Sequence, residues 1–153
     1  MKREIKRRKG FTLIELVIVI VIIGVLAGIA ALSYANVTQS SQDGVAKANL
    51  RAMKSSVMVY QADNAGKFPP ATDTLPAGFT EPAVPAGQKV AKTKNLGNLK
   101  PYLETQAYRN PSDAYTYTYT LSPDGKTATL KVEGGKLKGT KEGEDLYTIL
   151  NTK

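Results

Sequence analysis

From position 16 to position 32 every residue is apolar, alanine or glycine. With Phe11, Leu13, Ile14 and Tyr34 beside it, this run offers roughly 20 to 24 helical residues, about 30–36 Å at ~1.5 Å per residue, which is enough to cross the hydrocarbon layer of a membrane. After Gln42 the pattern changes: Ala46, Leu50, Met53, Val57 and Tyr60 recur at spacings of four, three, four and three, while Lys47, Arg51, Lys54 and Gln61 fall largely off that line. Such a stripe is the buried face of an amphipathic helix. No proline interrupts positions 11 to 68. The simplest expectation is therefore one helix over about 11–62, ended by Asp63-Asn64-Ala65-Gly66.

Residues 67–95 hold Pro69, Pro70, Pro76, Pro82 and Pro85 among alanine, threonine and glycine, and read as an irregular surface loop. Residues 96–103 suggest a short helix broken by Pro101, and Asn110-Pro111-Ser112-Asp113 a turn. AYTYTYTL at 114–121 alternates strictly, Ser122-Pro123-Asp124-Gly125 turns the chain, and TATLKV at 127–132 alternates again, which is a hairpin. Glu133-Gly134-Gly135 turns toward 136–138, and DLYTILN at 145–151 reads as a last strand. Tyr115, Tyr117 and Tyr119 share one strand face, where they are expected to cover the sheet or pack on the helix, with an exposed aromatic ladder as the alternative. The expected fold class is α+β: a long N-terminal α-helix, apolar in its first half and amphipathic in its second, packed on a C-terminal antiparallel β-sheet of three or four strands. The segments are a basic leader (1–10), an apolar helix (11–35), its amphipathic continuation (36–62), an irregular loop (63–113) and the sheet region (114–153).

Charge orients the apolar run. The net charge is +8, from 21 basic and 13 acidic residues, and Lys2, Arg3, Lys6, Arg7, Arg8 and Lys9 crowd the first nine positions against Glu4 alone. Beyond the run the first basic residue is Lys47. This asymmetry keeps the N-terminus in the cytoplasm and places the bulk of the chain outside. A secretory signal would end in a small-residue cleavage site after a 7–15-residue apolar stretch, and this run is too long for that. The chain has no histidine and no cysteine, so it lacks a Ser/His or Cys/His pair, a thiol redox site and the usual zinc ligands. No enzyme activity, metal or cofactor is expected. Between Lys9 and Asp43 the only charge is Glu15. An unpaired carboxylate at that depth costs on the order of 2.5–3.5 kcal/mol, so a positive partner is called for, with the helix dipole giving some help.

Gly10-Phe11-Thr12-Leu13-Ile14-Glu15-Leu16, after a short basic leader and before an apolar stretch, resembles the class III signal of type IV pilins and type II secretion pseudopilins. The resemblance implies a pilin fold and cleavage by a prepilin peptidase between Gly10 and Phe11. It also implies N-methylation of the new terminus at Phe11, and an assembly role for Phe11 and Glu15. In that family the glutamate of one subunit is thought to neutralise the N-terminus of a neighbour, and two charges that are each costly in an apolar core become tolerable together. A plain membrane anchor or a membrane-anchored binding module would need neither Glu15 nor the Gly-Phe junction. Two departures are visible: Leu32 stands where many members have proline, and the cysteines that staple many pilins are absent. The implied role is the precursor of a structural pilus subunit for adhesion, twitching motility or DNA uptake. It would be stored in the cytoplasmic membrane, then assembled by a platform and motor ATPase into a homo-oligomeric extracellular filament. The alternatives are a type II secretion pseudopilin and a DNA-binding competence pilin.

Two further clusters carry groups that can bind ligands. Glu142, Glu144 and Asp145 could hold calcium with loop carbonyls, as major pseudopilins do near the C-terminus, but the spacing KEGEDL matches no defined loop and a solvated turn is the simpler reading. Lys89, Lys92, Lys94, Lys136, Lys138 and Lys141 could contact DNA phosphates, although lysines in loops and at strand edges commonly serve solubility and edge protection. Asn36-Val37-Thr38 matches a glycosylation sequon but lies beside the apolar helix.

Overall fold

The computed structural model describes residues 10–86, 88–103, 107 and 109–150. The basic leader up to Lys9, and Asn151 of the expected last strand, lie outside the described residues. The chain divides into two compact units, Met1–Thr38 and Gln39–Lys153. Helix α1 (Leu13–Asp63) contributes to both.

In the first unit, every side chain from 16 to 32 is exposed. This is a helix long and apolar enough to cross a membrane. Helical backbone satisfies its own hydrogen bonds, so such a segment asks only for apolar surroundings, which a bilayer or neighbouring helices provide.

In the second unit α1 has a buried face, and the predicted stripe supplies it. Ala46, Leu50, Met53 and Val57 are fully buried, and Tyr60 packs at the border of the core, its ring edge-on to Tyr102 with centroids 5.2 Å apart. The helix ends one residue later than expected. The N–H of Gly66 donates to the carbonyl of Gln61 at 2.7 Å, which closes the last turn by a six-to-one bond. That closure puts Ala65 at φ 52°, a left-handed conformation in which a Cβ is strained. Ala65→Gly is accordingly expected to raise stability by about 0.5–1 kcal/mol, read as a higher denaturation midpoint; a lower midpoint would show that the gain in unfolded-chain entropy outweighs the relieved strain.

The sheet is richer than the sequence indicated. Strands β1 (Lys89–Val90) and β3 (Arg109–Asn110) form a separate antiparallel pair, while β2 (Lys92–Lys94), β4 (Thr116–Leu121), β5 (Thr127–Gly134), β6 (Leu137–Lys138) and β7 (Leu146–Leu150) form a five-stranded sheet. The predicted hairpin is β4–β5, paired from Thr116↔Glu133 to Leu121↔Ala128. β6 and β7 share the other edge of β5, and both run antiparallel to it. Two expectations are corrected. Residues 63–113 are not irregular throughout, since they contain β1, β2, β3 and a 3-10 helix (Gly97–Tyr102) that includes Pro101. The sheet is also not wholly antiparallel, because β2 pairs parallel with β4 through Lys92↔Thr116, Thr93↔Tyr117 and Lys94↔Thr118. A three-residue strand reading KTK has no hydrophobic alternation to announce it. Its place is set by tertiary bonds instead: Lys92 Nζ donates to the Asp113 carbonyl at 2.8 Å, and the N–H of Asn95, at φ 63°, donates to Asp73 Oδ1 at 2.5 Å.

Tyr115, Tyr117 and Tyr119 are fully buried against α1 and its surroundings, which removes the exposed ladder. Each phenol has a partner. Tyr115 donates to Asp43 Oδ1 at 2.5 Å and Tyr119 to the Pro69 carbonyl at 2.9 Å, while Tyr117 accepts from Asn49 Nδ2 at 3.3 Å. Burial pushes the Tyr117 phenol up to about 12, the bond from Asn49 working against it, and burial raises Tyr115 and Tyr119 as well. All three are neutral wherever the fold is used, and join apolar bulk to a satisfied polar end.

Candidate functional site

The start of α1 holds the residues that the family resemblance singled out. Thr12 precedes the first helical residue, and its side chain and backbone form a reciprocal pair with Glu15. The N–H and the hydroxyl of Thr12 both donate to Glu15 Oε2 at 2.8 Å, and the N–H of Glu15 donates to Thr12 Oγ1 at 3.3 Å. This is a capping box, in which a threonine and a glutamate three residues on satisfy two of the donors that a helix start leaves open. The T-x-x-E spacing before an apolar run is legible in the sequence. Reading Glu15 only as a charge in search of a cation left this local partner unrecognised.

The geometry leaves the carboxylate half used. Both bonds go to Oε2, and no described residue engages Oε1. One side chain can therefore cap its own helix and still present an oxygen to a cation. Because the cap uses the amide of Thr12, cleavage between Gly10 and Phe11 would leave it intact. Phe11 is 85% exposed, and a Cβ at Gly10 would meet nothing within 4 Å. Among the described residues no contact calls for glycine at position 10.

The acidic residues near the C-terminus are occupied by the chain itself. Asp145 is buried and its two oxygens accept from the N–H groups of Lys141 at 2.5 Å and Lys138 at 3.2 Å. Glu144 pairs with Lys47 of α1 at 3.0 Å and with Lys141 at 2.6 Å, and the hydrogen bond from Lys141, seconded by Lys47, holds its carboxyl down to about 2. Glu142 accepts from the N–H of Thr148, capping the outer edge of β7 at 3.1 Å. Among the described residues no three acidic groups converge as metal ligands would. The turn is a set of bonds rather than a purely solvated loop, and without cysteines these bonds tie the C-terminal strand to the helix.

The six candidate DNA-contacting lysines do not form one patch. Lys92 and Lys94 lie on β2 at one side of the sheet order, while Lys136, Lys138 and Lys141 lie on or around β6, two strands beyond β4. Lys89 is ion-paired with Asp113, and Lys141 with Glu144. Asn36 lies within α1, away from any loop.

Comparison with known proteins agrees with this layout. Residues 5–31 match the family model for the prokaryotic N-terminal methylation motif. The chain is 26% identical over 144 residues to type II secretion system core protein G of Vibrio cholerae, a match covering 92% of this chain and 94% of the relative. It is 28% identical to the Pseudomonas aeruginosa protein of the same description, over 79% of this chain and 87% of that one. To type IV major pilin protein PilE1 of Neisseria gonorrhoeae it is 37% identical over 91 residues, 60% of this chain but only 41% of the pilin. No solved structure matches significantly. A capped, exposed apolar helix followed by a packed α+β unit is thus joined to an N-terminal methylation motif, and the chain is similar to type II secretion system core proteins over most of its length and to a type IV major pilin over part of it.

Proposed function

We propose that this chain is the precursor of a filament subunit, cut between Gly10 and Phe11, methylated at Phe11, and held in the cytoplasmic membrane with its N-terminus inside until it is assembled into a type IV pilus. The observation that carries this reading is the helix start. Glu15 sits at the head of a stretch that no described residue covers, self-capped through Oε2 and with Oε1 engaged by no described residue. The ammonium that cleavage creates at Phe11 of a neighbouring copy is a cation of the right charge at the same depth, and pairing there would give the apolar helices a common register. Other chains would supply the peptidase, the assembly platform and the motor.

A second reading, a pseudopilin of a type II secretion system, is favoured by the whole-length match to secretion proteins in contrast to the partial match to the gonococcal pilin. One experiment separates the two: mass spectrometry of filaments sheared from the cell surface. The pilus reading expects a main species beginning with N-methylated Phe11. A species of that mass confined to membranes, with none in the sheared fraction, would transfer the chain to the secretion reading, and an uncut chain still carrying its leader would remove both.

A further inference from the structure

We propose that Lys47 and Lys54 of α1 are built-in cations that clasp the turn at 141–147 onto the helix, so that this turn holds without a metal ion. All of these residues belong to the second unit. The turn carries Lys141, Glu142, Glu144 and Asp145. Three carboxylates against one ammonium leave two negative charges to be answered, which is the charge a calcium ion would answer. Lys47 and Lys54 are two helical turns apart and therefore stand on one side of α1. Together they supply two positive charges. Lys47 Nζ lies 3.0 Å from Glu144 Oε2, and Lys54 Nζ lies 4.5 Å from the centre of the Tyr147 ring.

The oxygens that a calcium site would need are already turned on donors. A calcium ion takes about six to eight oxygen ligands directed at one point. Both oxygens of Asp145 accept backbone N–H groups, from Lys141 at 2.5 Å and from Lys138 at 3.2 Å. Glu142 accepts from the N–H of Thr148 at 3.1 Å through one oxygen and from its hydroxyl at 3.4 Å through the other. Glu144 offers one oxygen to Lys47 and the other to Lys141 at 2.6 Å. The main chain is used in the same way: the carbonyl of Lys141 accepts from the N–H of Leu146 at 3.2 Å, and that of Gly143 from the Tyr147 hydroxyl at 3.0 Å. Every carboxylate oxygen of the turn thus faces a donor rather than a common centre, and this set does not fit calcium.

The clasp has two unlike ends. The Lys47–Glu144 pair is partly exposed on both sides, so salt screens part of its attraction. At the other end an ammonium stands over an aromatic face, and the hydroxyl of that same Tyr147 is bonded back into the turn. The hold passes into the sheet from there. The N–H of Val132 on β5 donates to the Asp145 carbonyl at 2.8 Å, and β7 begins at the next residue, Leu146. A chain without cysteines gains in this way a fastening for its last strand that uses neither a disulfide nor a metal.

The test uses the full-length protein in detergent micelles. It reads thermal melting, together with hydrogen exchange at the backbone amides of Lys141 and Thr148, which donate to Asp145 and Glu142. Millimolar calcium chloride and excess EGTA are expected to give the same melting temperature and the same exchange rates. Lys47→Met and Lys54→Met are each expected to speed exchange at these amides by roughly two- to fivefold. Lys47→Arg, which keeps the charge, should restore the parent rate. Raising sodium chloride to about 1 M, where the screening length falls to about 3 Å, should bring the parent toward Lys47→Met, whereas a role in packing alone would leave their ratio unchanged. Calcium that raises the parent's melting temperature or slows its exchange, parent-like exchange in either methionine variant, failure of Lys47→Arg to restore the rate, or a ratio unmoved by salt would each overturn the proposal.

Discussion

Glu15→Gln is expected to abolish filaments while the precursor still inserts in the membrane and still starts its helix at Leu13. Glutamine serves in a capping box as glutamate does, so the bond from the Thr12 N–H survives. What the change removes is the charge, and with it the partner proposed for a neighbour's N-terminus. Glu15→Ala loses both functions, the cap alone being worth roughly 0.5–2 kcal/mol. Thr12→Val does the reverse, discarding the side-chain half of the cap and retaining the carboxylate, so it should leave filaments present in reduced number. Electron microscopy of sheared surface fractions, read with immunoblots of the membrane fraction, distinguishes these outcomes. Normal filaments from Glu15→Gln would show that the carboxylate acts only as a cap.

Asp43→Ala is expected to destabilise the second unit by about 3 kcal/mol, lowering its melting temperature by roughly 10 °C. Asp43 is buried, and its Oδ1 accepts from the Tyr115 hydroxyl at 2.5 Å, from Gln39 Nε2 at 3.1 Å and from the Lys136 N–H at 3.3 Å. It thus joins α1, the residue just before β4 and the turn before β6. Alanine would leave the buried Tyr115 hydroxyl only the bond it accepts from Gln39 at 2.8 Å, and would strip the Lys136 amide. Gly135 presses on the same group: it stands at φ 56°, and a Cβ there would run into Asp43, Gln39 and Tyr115. Gly135→Ala should therefore shift the melt in the same direction, and less than additively in the double variant because the two share partners.

The same carboxylate sets a pH dependence. Burial acts to raise the Asp43 carboxyl, but the hydrogen bonds from Tyr115, Gln39 and Lys136 outweigh it and hold the folded value below the ordinary one. The folded state then binds its proton less readily than the unfolded chain. Its stabilisation is fully present above the unfolded value of about 3.9 and is lost as pH falls through the folded value. Glu144, held down to about 2, adds in the same direction over an overlapping window. Melting temperature should stay level from neutrality down to about pH 5 and fall steeply below about pH 4. A parent and an Asp43→Ala variant with equal slopes below pH 4 would remove Asp43 from this account.

Much of the architecture was legible because it is written in short-range periods. The stripe Ala46, Leu50, Met53, Val57 needs only a 3.6-residue repeat to be read, and the β4–β5 hairpin only strict alternation with a turn between. The candidate site at Gly10, Phe11 and Glu15 was legible as a string of residues. Its capping geometry was equally present in the T-x-x-E spacing, though the depth of the charge pointed toward a distant partner instead. β2 and β3 were not legible, because strands of two or three residues hold no period, and neither Lys-Thr-Lys nor Arg-Asn announces which strand it will join.

By itself, then, the sequence determined the helix, its change from all-round apolar to one-sided, the central hairpin and the N-terminal motif, since each depends on residues within a few positions of one another. Tertiary structure alone decided which polar groups meet. Tyr115 reaches Asp43 across 72 positions, Glu144 reaches Lys47 across 97, and the 3-10 helix is anchored to α1 by Ser56, which donates to the Tyr102 carbonyl 46 positions away. Such pairs form only once the apolar faces have packed and water has been excluded. A buried donor or acceptor must then find whatever partner the packed neighbours present, and Arg109 Nε and Asn110 Oδ1 find none among the described residues.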